Sequence, residues 1–162
     1  DDVFKLNVKN PDKLSYISQT TLSVDDTKVV IEALKKRFPS IEGPDVKDIC
    51  YATQNRQSAV RDLVNHVNLM LVVGAKNSSN SNRLRELAEN CGVESFLIDD
   101  PEKISSLNLD NINVMGITAG ASAPEELVQQ MVKKCNLLGY KVSEEISGLQ
   151  EEVYFKLPAE LR

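Results

Sequence analysis

Short apolar runs alternate along the chain with segments whose apolar residues recur at helical spacing. A continuous apolar run at 69–73 and a mostly apolar run at 112–117 are each followed by a loop of polar or small residues and then by an amphipathic helix. Apolar strands without a polar face, alternating with helices, are typical of βα units on a parallel sheet. The pattern therefore predicts an α/β fold.

Further segments fit the same plan. We predict strands at 14–17, 95–99 and, at the end of the chain, within 151–158, together with a short helix at 101–106 and a longer helix from about residue 55. The apolar positions predicted to face inward from the four longer helices are Val29, Val30, Ala33, Leu34 and Phe38; Ala59, Val60, Leu63, Val64 and Val67; Leu84, Leu87, Ala88 and Cys91; and Leu127, Val128, Met131, Val132 and Cys135.

One segment, 38–48, contains two Pro and a Gly and has no helical stripe, so we predict that it is a linker. The chain then divides into three parts. Residues 1–43 form the C-terminal part of one α/β module, residues 44–138 form a complete module, and residues 139–162 form a C-terminal tail.

Composition excludes some classes of partner. The 162 residues carry a net charge of −5 and a pI near 5.0, which argues against nucleic acid and against an anionic membrane surface. No apolar run approaches the roughly 18 residues of a membrane-spanning helix. Three cysteines, an odd number, fit a reducing compartment better than a disulfide framework. The chain is therefore typical of a cytosolic or organellar protein, and of the two we expect a cytoplasmic location.

Three polar loops are predicted to meet at one edge of the sheet, because all loops that follow parallel strands lie at the strand C-termini. These loops contain Thr20–Thr21, Ser78–Ser79–Asn80 and Thr118–Ser122. Their hydroxyl, amide and backbone N–H groups suit a phosphate or diphosphate, to which Lys76 or Arg83 would add positive charge.

A plainer interpretation of these hydroxyls is helix capping. Ser23-Val-Asp-Asp26 and Ser122-Ala-Pro-Glu125 both fit a capping box. The two roles are compatible, because a capping oxygen accepts a hydrogen bond while its own O–H stays free to donate. The run at 77–82 holds more such groups than one cap requires. The sequence contains no Walker motif and no Gly-x-Gly-x-x-Gly, so an ordinary nucleotide site is disfavoured.

Cys50 differs from the other two cysteines. Cys91 and Cys135 extend the apolar faces of their helices and are predicted to be buried small hydrophobes. Cys50 precedes its helix and opens on the polar edge, where it is free to be a nucleophile or a metal ligand; the alternative is a buried cysteine in a short strand. His66, the only histidine, is predicted to be an ordinary surface or capping residue. One candidate ligand does not make a zinc or iron–sulfur site.

Four motifs, "QTTLSVDDT", "DICYATQNRQ", "GAKNSSNSNRL" and "TAGASAP", resemble in order and spacing the 4-hydroxy-3-methylbut-2-enyl diphosphate reductase family. The resemblance covers nearly the whole chain. It implies three α/β modules around a cavity that holds a [4Fe–4S] cluster, bound by one cysteine from each module. It also implies that electrons from a ferredoxin or flavodoxin, with protons, remove the hydroxyl of the small-molecule diphosphate as water. The products are isopentenyl and dimethylallyl diphosphate, in the methylerythritol phosphate route to isoprenoids.

The resemblance implies a role for particular residues. Cys50 corresponds to the last of the cluster cysteines, and Thr20 to a threonine near the substrate hydroxyl and the proton relay. The residues that correspond to diphosphate-binding positions are Ser78, Ser79, Asn80 and Ser122.

The family chain is longer, and its N-terminal part carries the other cluster cysteines, three active-site histidines and a proton-delivering glutamate. We therefore expect this chain alone neither to hold a stable cluster nor to turn over substrate. Two hypotheses stay open: a portion of the reductase, or a non-catalytic α/β module that keeps a phosphate-binding or diphosphate-binding edge.

Overall fold

The computed structural model describes residues 2–44, 49–146, 156–158 and 161. Strands and helices alternate through the central part of the chain, which confirms the predicted α/β fold. The elements are α1 (Asp2–Lys5), α2 (Val24–Arg37), α3 (Tyr51–Leu63), β1 (Leu69–Val73), α4 (Ser79–Asn90), β2 (Glu94–Ile98), a 3₁₀ helix (Pro101–Ser106), β3 (Met115–Ala119) and α5 (Glu125–Leu137).

The sheet has three parallel strands in the order β2-β1-β3. Leu71, in the middle of β1, lies opposite Phe96 on one side and Ile117 on the other. The chain goes from β1 to β2 through α4 and then crosses to the opposite side of β1 to form β3. The direction of winding therefore reverses between β1 and β3, and such a switch point is where open α/β sheets bind ligands.

The core has two halves, one on each face of β1, because successive side chains of a strand point to opposite faces. Leu69, Leu71 and Val73 pack with α5 and the 3₁₀ helix, whereas Met70 and Val72 pack with α3 and α4. All five side chains of β1 are 0% exposed. A strand covered on both faces explains the continuous apolar run, and it fixes the position of the loop that follows.

Three strands and one helix differ from their predicted bounds. The strand expected at 95–99 is Glu94–Ile98. The strand expected at 14–17 is a single bridge, Ser15 to Glu42. The strand expected at 112–117 is Met115–Ala119, because Asn111 turns the chain with a φ of 66° before it. The helix expected from about residue 55 begins at Tyr51.

Two other predicted segments lie wholly or partly outside the described residues. For the terminal strand predicted within 151–158, residues 151–155 are outside, and the described residues 156–158 are not in a strand. Residues 45–48 of the predicted linker are outside as well. The sheet, α3, α4 and α5 all lie within 44–138, and the boundaries at 43 and 138 stay predictions.

The inward face predicted for α2 is wrong in part. Val29 and Val30 are 65% and 48% exposed, whereas Thr27, Ile31 and Phe38 are buried. The side of α2 that faces the protein is therefore rotated away from the two valines. Within the described ranges, no helix combines the length and the apolar character needed to cross a membrane.

Candidate functional site

The loop that follows β3 is hydrogen-bonded to the end of β1 at the switch point. The backbone N–H of Gly120, just after β3, donates to the carbonyl oxygen of Val73, the last residue of β1, at 2.9 Å. Ser81, which is 0% exposed, lies between Gly74 and Gly120, and a Cβ atom on either glycine would clash with its Oγ. Only glycine lets both loops approach α4 this closely.

Ser78 is the N-cap of α4. Its Oγ accepts a hydrogen bond from the backbone N–H of Ser81 at 3.3 Å and another from the Ser81 hydroxyl at 3.0 Å. Because both bonds use Ser78 Oγ as the acceptor, its own O–H is left to donate. Capping and anion binding are therefore compatible at this residue, as the sequence predicts.

The next two residues differ sharply in their surroundings. Ser79 is exposed, and its Oγ accepts a hydrogen bond from the Thr21 hydroxyl at 3.2 Å. Asn80 is 7% exposed, and neither Oδ1 nor Nδ2 of its side chain has a hydrogen-bond partner among the described residues. A buried amide left unpaired costs about 1–3 kcal/mol, so a ligand that paired with it after a side-chain rotation would recover that free energy.

Ser122 lies on the loop after β3, which approaches Asn80: a Cβ added to Gly120 would be 3.7 Å from Asn80 Nδ2. The capping role predicted for Ser122 is wrong. Pro124 is the N-cap of α5 and makes no side-chain capping bond. A turn closed by a 3.0 Å hydrogen bond from Ala123 N–H to the Gly120 carbonyl oxygen leaves Ser122 outside the first turn of the helix. Its exposed hydroxyl is free to bind a ligand.

The other predicted cap is confirmed. Ser23 is the N-cap of α2, and its Oγ accepts from the backbone N–H of Asp26 at 3.2 Å. Of the two cations predicted to add charge to the polar edge, Arg83 is paired with Glu86 on its own helix at 2.7 Å. The hydrogen bond from Lys103 is the main cause that lowers the pKa of the Asp99 carboxyl, and the charge of Lys76 contributes least. Lys76 itself is exposed.

Cys50 lies where α3 begins and next to the Thr20 loop. It is the N-cap residue, its side chain makes no capping bond, and its backbone N–H donates to the Thr20 carbonyl oxygen at 3.0 Å. Both Cys50 and Thr20 are exposed. The alternative of a buried cysteine in a short strand is therefore wrong, because the thiol is at the surface and the helix starts at the next residue.

The other thiols lie elsewhere. Cys135 is buried as predicted, with its Sγ 3.7 Å from the Met115 sulfur, and burial raises the pKa of its thiol. Cys91 is exposed, so its predicted burial is wrong: α4 ends at Asn90, and Gly92, with a φ of 85°, turns the chain away from the helical stripe. His66 is exposed, as predicted. No group of three or more His, Cys, Asp or Glu among the described residues is placed to bind a metal ion.

Two residues that hold the site loops were missed by sequence reasoning. Arg56 Nη1 donates to the Ala119 carbonyl oxygen at 2.8 Å, and Gln57 Nε2 donates to the Leu22 carbonyl oxygen at 3.0 Å. The sequence feature that could have indicated Gln57 is a polar residue on the apolar face of a helix. Gln57 lies one helical turn before Val60 and is 2% exposed.

Comparison with known proteins gives the family. Residues 1–136 match the LytB protein family. A protein of Pseudoalteromonas translucida is 58% identical over 162 residues, and one of Aliivibrio fischeri strain ES114 is 56% identical over the same length. Both relatives are named 4-hydroxy-3-methylbut-2-enyl diphosphate reductase, and the alignment covers 100% of this chain and 52% of each relative. The chain thus spans about half the length of the curated relatives it matches.

Two solved structures are similar. The E-1-hydroxy-2-methyl-but-2-enyl-4-diphosphate reductase of Plasmodium falciparum aligns with a TM-score of 0.82 and 35% identity, over 98% of this chain and 51% of that one. A structure described as (E)-4-hydroxy-3-methyl-but-2-enyl diphosphate reductase, the terminal enzyme of the non-mevalonate pathway, aligns with a TM-score of 0.52 and 26% identity. It covers 76% of this chain and 43% of that one.

Proposed function

The chain belongs to the LytB protein family, and we propose that it supplies the diphosphate site and one cluster ligand of a 4-hydroxy-3-methylbut-2-enyl diphosphate reductase. The observation that carries this proposal is the side chain of Asn80, a buried amide at the switch point of the sheet that has no partner among the described residues. The names of relatives that are 56% and 58% identical over the whole chain support the same substrate.

Neutral donors would hold the diphosphate. The hydroxyls of Ser78, Ser79 and Ser122 and the amide of Asn80 come from the two loops that meet beside β1. The N-terminal N–H groups of α4 lie at the same place, and the helix dipole favours negative charge there. Each bond to a charged phosphate oxygen is stronger than a bond between neutral groups, so uncharged side chains are sufficient.

Of the cysteines present, Cys50 fits the role of one ligand of a [4Fe–4S] cluster. Cys50 has an exposed thiol that makes no capping bond, beside the Thr20 loop, whereas Cys135 is in the core and Cys91 ends α4. The remaining ligands would come from the N-terminal half of the enzyme. When bound, the cluster supplies electrons, received from a ferredoxin or flavodoxin, for removing the substrate hydroxyl as water. Free thiols of this kind fit a cytoplasmic location.

Thr20 would bind the hydroxyl end of the substrate. Its exposed side chain lies on the loop that is hydrogen-bonded to Cys50, and the following residue, Thr21, is hydrogen-bonded to Ser79 on the diphosphate side. The loop therefore spans from the metal ligand to the diphosphate site. A threonine hydroxyl there can donate to the substrate oxygen and pass on a proton.

The test joins this chain to the N-terminal half of the Aliivibrio fischeri relative and reconstitutes the fusion anaerobically with iron and sulfide. We expect about four irons per chain and reduction of the substrate, and Cys50→Ser should abolish both. Cys91→Ser, which removes an exposed thiol at the opposite end of α4 from Ser79, is the matched control and should change neither. Full iron content in Cys50→Ser would refute the ligand role. Saturable binding of pyrophosphate by a fusion without iron or turnover would favour the non-catalytic module instead.

A further inference from the structure

Two neighbouring side chains of α3 each bind the backbone of a different site loop. We propose that Arg56 and Gln57 are positioning residues: Gln57 fixes the Thr20–Thr21 loop and Arg56 fixes the loop that carries Ser122, both relative to Cys50 at the start of the same helix. This inference rests on the proposed function for the roles of those loops, and it adds the residues that set their mutual geometry.

Gln57 uses both ends of its amide on one segment. Nε2 donates to the Leu22 carbonyl oxygen at 3.0 Å, and Oε1 accepts from the Val24 backbone N–H at 3.3 Å. The side chain is 2% exposed, so water does not compete for either bond. With the bond from Cys50 N–H to Thr20, three hydrogen bonds tie residues 20–24 to α3.

Arg56 holds the second loop. Its Nη1 donates at 2.8 Å to the carbonyl oxygen of Ala119, the last residue of β3, directly before the Gly120 turn that leads to Ser122. Its Nε is buried and has no partner in the described part of the chain. A cationic group with a buried, unpaired donor lowers the stability of the fold. The presence of Arg56 is therefore better explained by its placement of the Ser122 loop than by a contribution to stability.

The proposed metal ligand and the two residues that bind the site loops therefore all belong to α3 or its N-cap. Cys50 begins α3, and the side chains of Arg56 and Gln57 extend from its second turn to the two loops. Binding at one loop and chemistry beside the other both require a fixed distance between them. A displacement of about 1 Å at a reacting group can cost a factor of about 100 in rate.

The first test needs no ligand. Gln57→Glu keeps the size and one acceptor but places a second acceptor against the Leu22 carbonyl; Arg56→Met removes the donor to Ala119, and Arg56→Lys restores one. Gln130→Glu, the same change at an exposed position of α5, is the control. Amide hydrogen exchange should rise at 20–24 only in Gln57→Glu and at 119–123 only in Arg56→Met, with Arg56→Lys near the parent. No local change, or an equal change throughout the chain, would overturn the proposal.

The second test uses the fusion described above and separates the two loops by kinetics. Gln57→Glu should lower kcat by about tenfold to a hundredfold while KM changes less than about threefold, because the Thr20 loop acts on the reacting end of the substrate. Arg56→Met should raise KM by about tenfold with a smaller effect on kcat. Equal losses in both parameters for both variants would indicate a merely structural role. A fusion without activity would refute the proposed function, while hydrogen exchange would still decide whether the two residues position the loops.

Discussion

The backbone N–H of Cys50 donates a hydrogen bond to the carbonyl oxygen of Thr20 across 3.0 Å. The next residue of that loop, Thr21, donates through its hydroxyl to Ser79 at 3.2 Å. Two hydrogen bonds through one loop therefore connect the proposed metal ligand with the proposed diphosphate site. A change at either end of this connection should be measurable at the other.

Alanine substitutions at Ser78 and Ser122 should differ in their effect on stability but weaken pyrophosphate binding equally. Ser78→Ala removes the N-cap of α4 and should lower the free energy of unfolding by about 1 kcal/mol. Ser122→Ala removes a hydroxyl that caps nothing and should change that free energy by less than about 0.5 kcal/mol. Both variants should weaken binding of inorganic pyrophosphate by about tenfold, since each removes a bond to a charged oxygen. Urea unfolding and calorimetric titration give the two quantities.

Two results would contradict these predictions for Ser78 and Ser122. If Ser122→Ala destabilised the chain as much as Ser78→Ala, the hydroxyl of Ser122 would have a structural partner. If it bound pyrophosphate like the parent chain, the loop after β3 would not belong to the anion site.

Asn80→Leu should raise stability and lower function together. The substitution removes two buried polar atoms that have no partner within the part of the chain that the structure describes, and it replaces them with apolar atoms of similar shape. We expect the free energy of unfolding to rise by about 1 kcal/mol and pyrophosphate binding to fall at least tenfold. Thermal unfolding with and without pyrophosphate measures both effects. A less stable variant that still binds would show that the amide is paired in the folded chain.

Cys135 should make the stability of the chain fall at high pH. Burial raises the pKa of its thiol above the ordinary value of 9.0. Below that pH the thiol is protonated in both states and its stabilising contribution is complete. Above it the unfolded chain releases the proton while the folded chain retains it, so the free energy of unfolding decreases until the folded pKa is passed.

Urea unfolding of the parent chain and of Cys135→Ala, followed from about pH 8 to about pH 10.5, measures this contribution. The alkaline decrease should be smaller in the variant, although Cys135→Ala is less stable throughout because it leaves a cavity. Identical pH dependence in the two chains would mean that another group is responsible.

An apolar groove of about 390 Å³ beside α2 should bind a hydrophobic dye. Its lining includes Ile17, which is 93% exposed, and Val30, which is 48% exposed. Replacing both with Ser should reduce the fluorescence of bound dye by more than half. Leu137→Ser, at a position that is 77% exposed and does not line the groove, is the control and should leave the fluorescence unchanged. A dye-silent parent chain would refute this expectation.

The elements that the sequence predicts well are those whose pattern reflects burial alone. The structure places β1 at 69–73, the predicted bounds, because it is covered on both faces and every residue is apolar. The start of β3 was not predictable, since Ile112 and Val114 are apolar but lie in a loop. The side chain of Asn68, distant in sequence, accepts a hydrogen bond from Val114 N–H there.

The candidate site shows the same limit. Polar loops after parallel strands indicate a binding edge, and the motifs indicate which residues to assign to it. No local pattern shows that Ser122 is left out of its helix by the Gly120–Ala123 turn, or that Asn80 is buried with no partner in the described ranges. Both depend on how separate loops pack. The exposure of Val29 also depends on packing, because periodicity does not reveal which apolar face is covered.

The most direct test of the diphosphate site is a titration of the 162-residue chain with inorganic pyrophosphate, followed by amide NMR. We expect saturable shifts at residues 78–80 and 120–122, with a smaller change at Thr21, which is hydrogen-bonded to Ser79. The exposed end of α5 around Leu137 should not respond. Saturable shifts confined to other regions, or no saturable shift at all, would contradict the assignment of a diphosphate site to the switch point between β1 and β3.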